Sequence, residues 1–117
     1  MTDRDADCLF CKIVAGEIPT DRVHEDDEVV AFRDIAPRAP THVLIVPRRH
    51  VPDMHALTDA DDHLLGRLFA AARRIADDAG LAKGYRVVTN VGPEAGQSVF
   101  HLHLHLLGGR PMAWPPG

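Results

Sequence analysis

The 117 residues predict an α+β fold: an antiparallel sheet of about five strands, one long helix and a short N-terminal helix. Three observations lead there. Short β-branched, apolar runs recur between turn and proline signals. Helical periodicity is sustained over one stretch only, Thr58 to Ala79. Strands joined by hairpins and loops, with one helix-length crossover, pair antiparallel.

Taken in order, Cys8 to Gly16 reads as the short helix, with Leu9, Phe10 and Ile13 on one face and Gly16 as its stop. Pro19 breaks any continuation. Val23–Glu25 and Glu28–Arg33 flank Asp26-Asp27 as a hairpin, and 34–40, with two prolines, reads as a loop. Thr41–Val46 is continuously apolar in its last four residues, as a strand buried on both faces would be, and Pro47 ends it. Thr58 and Asp61 have the spacing of a capping box variant. Leu64, Leu65, Leu68, Phe69, Ala72, Ile75, Ala76 and Ala79 form an apolar stripe, and Gly80 sits where a C′ glycine belongs. Tyr85–Val91 and Val99–Leu107 read as the remaining strands. One domain over 1–117 is expected, with 1–7 as a flexible N-terminus and 108–117 as an irregular tail rich in Pro and Gly.

Composition bounds the function. Hydrophobic residues make up 45 % and charged residues 26 %, so a core can form. A formal net charge of -4 argues against nucleic acid and against an anionic membrane surface as partners. No segment has the length of apolar sequence that spans a bilayer, and the acidic start lacks an apolar signal region, so a cytoplasmic protein is expected. The cysteines are Cys8 and Cys11; in a reducing compartment this spacing suggests metal or redox chemistry, although two small buried helix residues would look the same.

The chemistry concentrates in His101-Leu102-His103-Leu104-His105. On a strand the histidines share one face, about 7 Å apart, and the leucines anchor the other. Imidazoles in a row serve either as metal ligands or as nucleophile and acid–base groups. The preceding loop, Gly92 to Ser98, is rich in glycine and short polar groups and can hold an anion beside them.

These residues carry a resemblance. Gly96 to Leu107, with histidines alternating with hydrophobic residues, resembles the signature of the histidine triad (HIT) superfamily. Phe32-Arg33-Asp34-Ile35, Pro40-Thr41-His42, Val46-Pro47-x-x-His50, Gly84-Tyr85-Arg86 and Asn90 agree with it in order and spacing. Gly108-Gly109-Arg110, Met112 and Trp114-Pro115-Pro116-Gly117 resemble the C-terminus of the Hint branch, the purine nucleoside phosphoramidases.

The resemblance implies a HIT-like fold and a hydrolase. His103 is its nucleophile, attacking phosphorus to form a covalent nucleotidyl-histidine. The carbonyl of His101 fixes the His103 tautomer, His105 stabilises developing charge on phosphate, Ser98 assists the leaving amine and His42 supports the triad. Leu9, Phe10, Ile13, Ile18 and Phe32 line a purine pocket, although any small core would use such residues. Asp34, beside Ile35, accepts from the ribose hydroxyls, and Asn90, Gly96, Gln97 and Val99 lie near phosphate and sugar. Some bacterial-type members pair Cys-x-x-Cys with histidines equivalent to His50 and His101, which implies a structural Cys2His2 zinc site from Cys8, Cys11, His50 and His101, with no cofactor required for catalysis. A purine nucleotide (an AMP or GMP derivative) as substrate and a homodimer are further implications. The Gly92–Gln97 loop also resembles the dinucleoside polyphosphate hydrolase branch, and a nucleotide-binding regulatory module with little turnover is the reading from another class.

Overall fold

The computed structural model describes residues 5–117, so residues 1–4 of the expected flexible N-terminus lie outside the described residues. Asp5 to Asp7 make a turn into the first helix, with the Cys8 N–H donating to the Asp5 carbonyl at 3.1 Å. Helix α1 spans Leu9–Val14, and the Cys8 thiol sulfur caps it by accepting from the Cys11 N–H at 3.3 Å.

Strands β1 (Arg22–Glu25), β2 (Val29–Arg33), β3 (Thr41–Pro47), β4 (Tyr85–Val88) and β5 (Leu104–Gly108) form one sheet in the order β1-β2-β3-β5-β4, every pairing antiparallel. The long helix α2 runs over Asp62–Asp78 and is entered through a 3-10 turn, Asp59–Asp61, with the Thr58–Asp61 capping box in place. It ends in a Schellman motif: Gly80 has φ +71°, its N–H donates to the Asp77 carbonyl, and the Leu81 N–H reaches back to Ala76. Among the described residues, no helix is long and apolar enough to cross a membrane.

The period of two along each strand splits the sheet's apolar residues between two cores. Val29, Ala31, Val43, Ile45, Leu104 and Leu106 pack with Leu64, Leu68, Ala72, Ile75 and Ala76 of α2. Val30, Phe32, Leu44 and Val46 pack with Phe10 and Ile13 of α1. Strand β3 is therefore buried on both faces. His105 is the cross-strand partner of Leu44, which puts the histidines on the α1 face.

Four sequence expectations are corrected. The strand expected over Val99–Leu107 is laddered only from Leu104, because β3 stops at Pro47, which has no N–H to donate; instead the Leu102 N–H donates to the Val51 carbonyl at 2.6 Å. The strand expected over Tyr85–Val91 ends at Val88, opposite His105, and beyond it the Thr89 hydroxyl donates to the His103 carbonyl at 2.8 Å. In the α2 stripe, Phe69 is 52 % exposed and Ala79, past the last turn, is exposed, while Ala71, unpredicted, is buried; the buried face is turned toward Ala71 and away from Phe69. The first turn of the long helix is 3-10, tightened by its cap.

The hairpin turn rests on one side chain. Asp26 Oδ1 accepts from the N–H groups of Glu28 (2.8 Å) and Val29 (2.9 Å), Oδ2 lies 2.8 Å from His24 Nε2, and Arg67 of α2 approaches at 3.0 Å. Burial pushes the carboxyl's pKa up, but the Glu28 N–H, His24, the Val29 N–H and Arg67 together hold it well below the usual carboxylate range. Asp26→Ala is expected to cost about 2 kcal/mol at neutral pH. A depressed folded-state pKa stabilises above the unfolded value and is lost on acidification, so the gap between wild type and variant narrows as pH falls below about 4. Urea unfolding at two pH values checks both.

Candidate active site and metal centre

A cavity of about 450 Å³ opens on the α1 face. Of the residues expected at the site, Leu9, Phe10, Ile13, Ile18, Phe32, Asp34, Ile35, Asn90, Gly96, Ser98, Val99, His103 and His105 line it. Gln97, between the lining residues Gly96 and Ser98, is not itself among them. It is buried, its Oε1 accepts from the Gly92 N–H at 2.9 Å, and its Nε2 donates to the carbonyls of Pro52 and Val99. It braces the loop that presents Ser98. Pro19, Thr20, Arg33 and Leu44 also line the cavity and were not foreseen. Leu44 was legible in principle: two residues after His42 on one strand, it must share that histidine's face.

The ring nitrogens have assignable roles. His103 Nδ1 lies 2.7 Å from the His101 carbonyl oxygen, which can only accept, so Nδ1 carries the proton and Nε2 keeps its lone pair. His42 Nδ1 accepts from the Arg38 N–H at 3.0 Å, so His42 Nε2 carries its proton and donates to His105 Nδ1 at 2.9 Å. His105 therefore bears its proton on Nε2. His103 and His105 stack edge to face with centroids 5.0 Å apart. One wall of the cavity thus combines an imidazole with a free lone pair and a neighbouring imidazole with a free N–H.

Both rings stay neutral for the same chief reason. Burial lowers the His103 pKa, against the bond to His101 and the charge of Asp34. Burial, then repulsion from His103 and His42, brings His105 down to about 4, with Asp34 opposing. Burial also lowers His42. A histidine depressed in the folded state stabilises fully above its unfolded pKa, about 6.5, and that contribution is lost as pH falls through the folded value. The His105 imidazole signals in NMR are expected to titrate near pH 4, and stability to decline between about pH 6.5 and 4. A His105 midpoint at 6 or above would contradict this assignment.

His42 does not line the cavity, and its part is to hold His105 from behind. The side chains of Asp34, His42 and His105 bring ligand-type atoms within 4.8 Å of one another. They make a poor metal site, because a metal on His42 Nε2 would need a fully deprotonated ring or the loss of the Arg38 bond. Arg38, His42 and His105 form a hydrogen-bond chain, with Asp34 Oδ2 3.4 Å from His42 Nε2.

His101 points elsewhere. Its Nε2 lies 2.8 Å from the Pro47 carbonyl and donates to it, leaving a lone pair on Nδ1. That Nδ1 lies 3.3 Å from Cys8 Sγ, 3.5 Å from Cys11 Sγ and 3.3 Å from His50 Nδ1, and Cys11 Sγ lies 3.3 Å from His50 Nδ1. Four soft or borderline ligand atoms thus converge within 4.8 Å. Metal–ligand bonds of about 2.0–2.3 Å in a tetrahedron place ligand atoms roughly 3.3–3.8 Å apart, so the donor set fits a closed Cys2His2 zinc site. The side chain of His101 therefore takes no place in the cavity, and its contribution there is through the backbone carbonyl.

A HIT domain matches residues 15–112. A crystal structure of a HIT family hydrolase from Legionella pneumophila superposes with a TM-score of 0.93 at 52 % identity, covering 95 % of this chain and 100 % of that one. Adenylylsulfatase HINT1 of Arabidopsis thaliana is 48 % identical over 99 % of this chain and 80 % of its own. A 14 kDa zinc-binding protein of Brassica juncea is 46 % identical over 95 % of this chain and 100 % of its own. The chain belongs to the HIT family, the histidine triad proteins. Within it, the likeness is to the Hint branch.

Proposed function

We propose that this protein is a nucleotide hydrolase that cleaves the P–N bond of purine nucleoside 5′-phosphoramidates through a nucleotidyl-His103 intermediate. The observation that carries the reading is the His103 ring: Nδ1 is committed to the His101 carbonyl at 2.7 Å, which leaves Nε2 as a neutral nucleophile on the cavity wall.

Leu9, Phe10, Ile13, Ile18 and Phe32 supply apolar walls for a purine, with Ile35, 96 % exposed, at the rim. Asp34 supplies a carboxylate for the ribose hydroxyls, and Asn90, Gly96 and Val99 lie toward sugar and phosphate. His103 Nε2 attacks the α-phosphorus, forming the P–Nε2 bond as the P–N bond to the amine breaks. The leaving nitrogen takes the Ser98 Oγ proton, and His105 Nε2–H donates to the phosphate oxygen that gains charge. Water then attacks the same phosphorus and breaks the P–Nε2 bond; the proton it gives up restores the Ser98 hydroxyl, and the nucleoside monophosphate and neutral His103 are released. No cofactor takes part in these steps. Zinc held by Cys8, Cys11, His50 and His101 would supply a structural tie between α1 and the sheet.

A homodimer completes the reading. Strand β4 is an edge strand, and Phe69, Tyr85 and Trp114 are exposed large apolar residues near the sheet edge, α2 and the tail. A groove of about 800 Å³, lined by Tyr85, Arg86, Arg110 and Met112 among others, lies on this side and carries none of the histidine chemistry. Light scattering on the purified chain tests this assembly.

The activity is tested with an adenosine 5′-phosphoramidate bearing a fluorescent amine, run beside adenylyl sulfate and a diadenosine polyphosphate. Sulfate and phosphate leave without needing a proton, so only the phosphoramidate should depend on Ser98. Turnover fastest on the phosphoramidate supports the proposal. Tight AMP binding without turnover of any substrate would replace it with a nucleotide-binding regulatory module.

A further inference from the structure

We infer that the Cys8–Cys11–His50–His101 centre positions the nucleophile: a metal bound there holds His101 so that its carbonyl keeps the His103 ring in its Nδ1–H form. The inference rests on the metal reading of that centre and on His103 as the reacting histidine.

It starts from what does not hold His101. Sheet pairing fixes backbone carbonyls by paired hydrogen bonds, but β5 is laddered only from Leu104 onward. The carbonyl that sets the His103 tautomer lies outside the ladder. The backbone anchors around it are single bonds: Leu102 N–H to the Val51 carbonyl, and the Thr89 hydroxyl to the His103 carbonyl. The orientation of residue 101 therefore depends on its side chain, which is fully buried. One ring nitrogen is tied to the Pro47 carbonyl and the other faces the ligand cluster. A metal would make that second contact the strongest of the set.

A second contact runs the same way. Phe10, on α1 between its cap Cys8 and Cys11, packs its ring edge to face against both His101 (centroids 6.0 Å) and His103 (5.0 Å). Anchoring Cys8 and Cys11 presses Phe10 onto the reacting ring. Without a metal, the cluster keeps only thiol contacts, which are weak hydrogen bonds, and a long contact between the ring nitrogens of His50 and His101. His101 is then held through its ring by the Pro47 bond on one side alone, which allows it to tilt and weakens the hold of its carbonyl on the His103 tautomer.

The test compares zinc-loaded protein with protein stripped by a chelator, both 15N-labelled at histidine and held at one pH. Long-range 1H–15N spectra are expected to show a single Nδ1–H tautomer for His103 in the loaded protein and a mixture in the stripped one. Phosphoramidate kcat is expected to fall between about tenfold and a hundredfold on stripping, as for a misplaced reacting group, and to return with zinc. A single tautomer in the stripped protein overturns the inference. If the stripped chain unfolds, Cys8→Ala/Cys11→Ala/His50→Leu, which fills the site with apolar groups, takes its place: mixed tautomers support the inference and a single one overturns it. Cobalt(II) titration separates failures. Absence of thiolate-to-cobalt absorption removes the metal reading and the inference with it. A tautomer change without hydrolysis in either state supports the positioning while sinking the hydrolase reading.

Discussion

His103→Ala is expected to abolish turnover, with kcat falling by about four orders of magnitude or more while the fold survives. In the proposed mechanism the loss is large because the other groups act through the bond this residue forms. His105 can donate to a phosphate oxygen and Ser98 can serve the leaving nitrogen, but neither attacks phosphorus. The fold should survive because the packing face of this segment is the leucine face: Leu102, Leu104 and Leu106 lie in the α2 core, while His103 faces the cavity. Thermal unfolding and AMP binding close to wild type, together with loss of amine release, would confirm a chemical defect. Quenched-flow capture of radiolabelled nucleotide on the wild type, absent in the variant, would identify the covalent step. Retained turnover in His103→Ala would overturn the mechanism.

Leu68→Ala is expected to show the reverse: a stability loss of about 3–4 kcal/mol with kcat changed by less than about twofold. Leu68 is fully buried on α2 and belongs to the cluster that covers the sheet face away from the cavity. The cost combines lost transfer energy with a cavity that helix and sheet, both rigid, cannot close. Its neighbours in that cluster include Leu102, Leu104 and Leu106, whose backbone carries the histidines. A fall in kcat as large as the His103 effect would mean that the two faces are mechanically coupled. Guanidinium unfolding and steady-state kinetics on the same preparation decide it.

The histidine wall of the cavity was legible because it is built on short-range geometry. The alternation of leucine and histidine separates a core face from a chemical face, and it holds through residues 101–106 although only part of that stretch is laddered. The family resemblance then carried roles to residues that spacing alone would leave in a core, such as Phe10 and Phe32. The two strand misreadings share one cause. A strand pattern reports which side chains face which way, not where a partner strand ends, so Val99–His103 and Thr89–Val91 read as ladder. The part the Gln97 side chain plays within its loop was not legible: its amide is bonded to Gly92, Pro52 and Val99. Phe69 followed the helical period, yet it lies at the edge of the buried face and is half exposed.

What the sequence determined by itself is the set of elements, the face each strand turns inward, and the residue types brought to the reaction; these follow from local periodicity and chemistry. Tertiary structure decided the proton placements and the division of labour among the histidines. His101, His103 and His105 are equivalent as a pattern, spaced two apart on one strand. They become different because each ring meets a different partner from a distant part of the chain or from the irregular backbone beside it. Pro47 and the cysteine cluster turn His101 away from the cavity. The His101 carbonyl fixes His103 as the ring with a free lone pair, and His42, held by Arg38, fixes His105 as the ring with a free N–H. A tautomer is set by which nitrogen finds an acceptor, and only folding brings those acceptors within hydrogen-bonding distance.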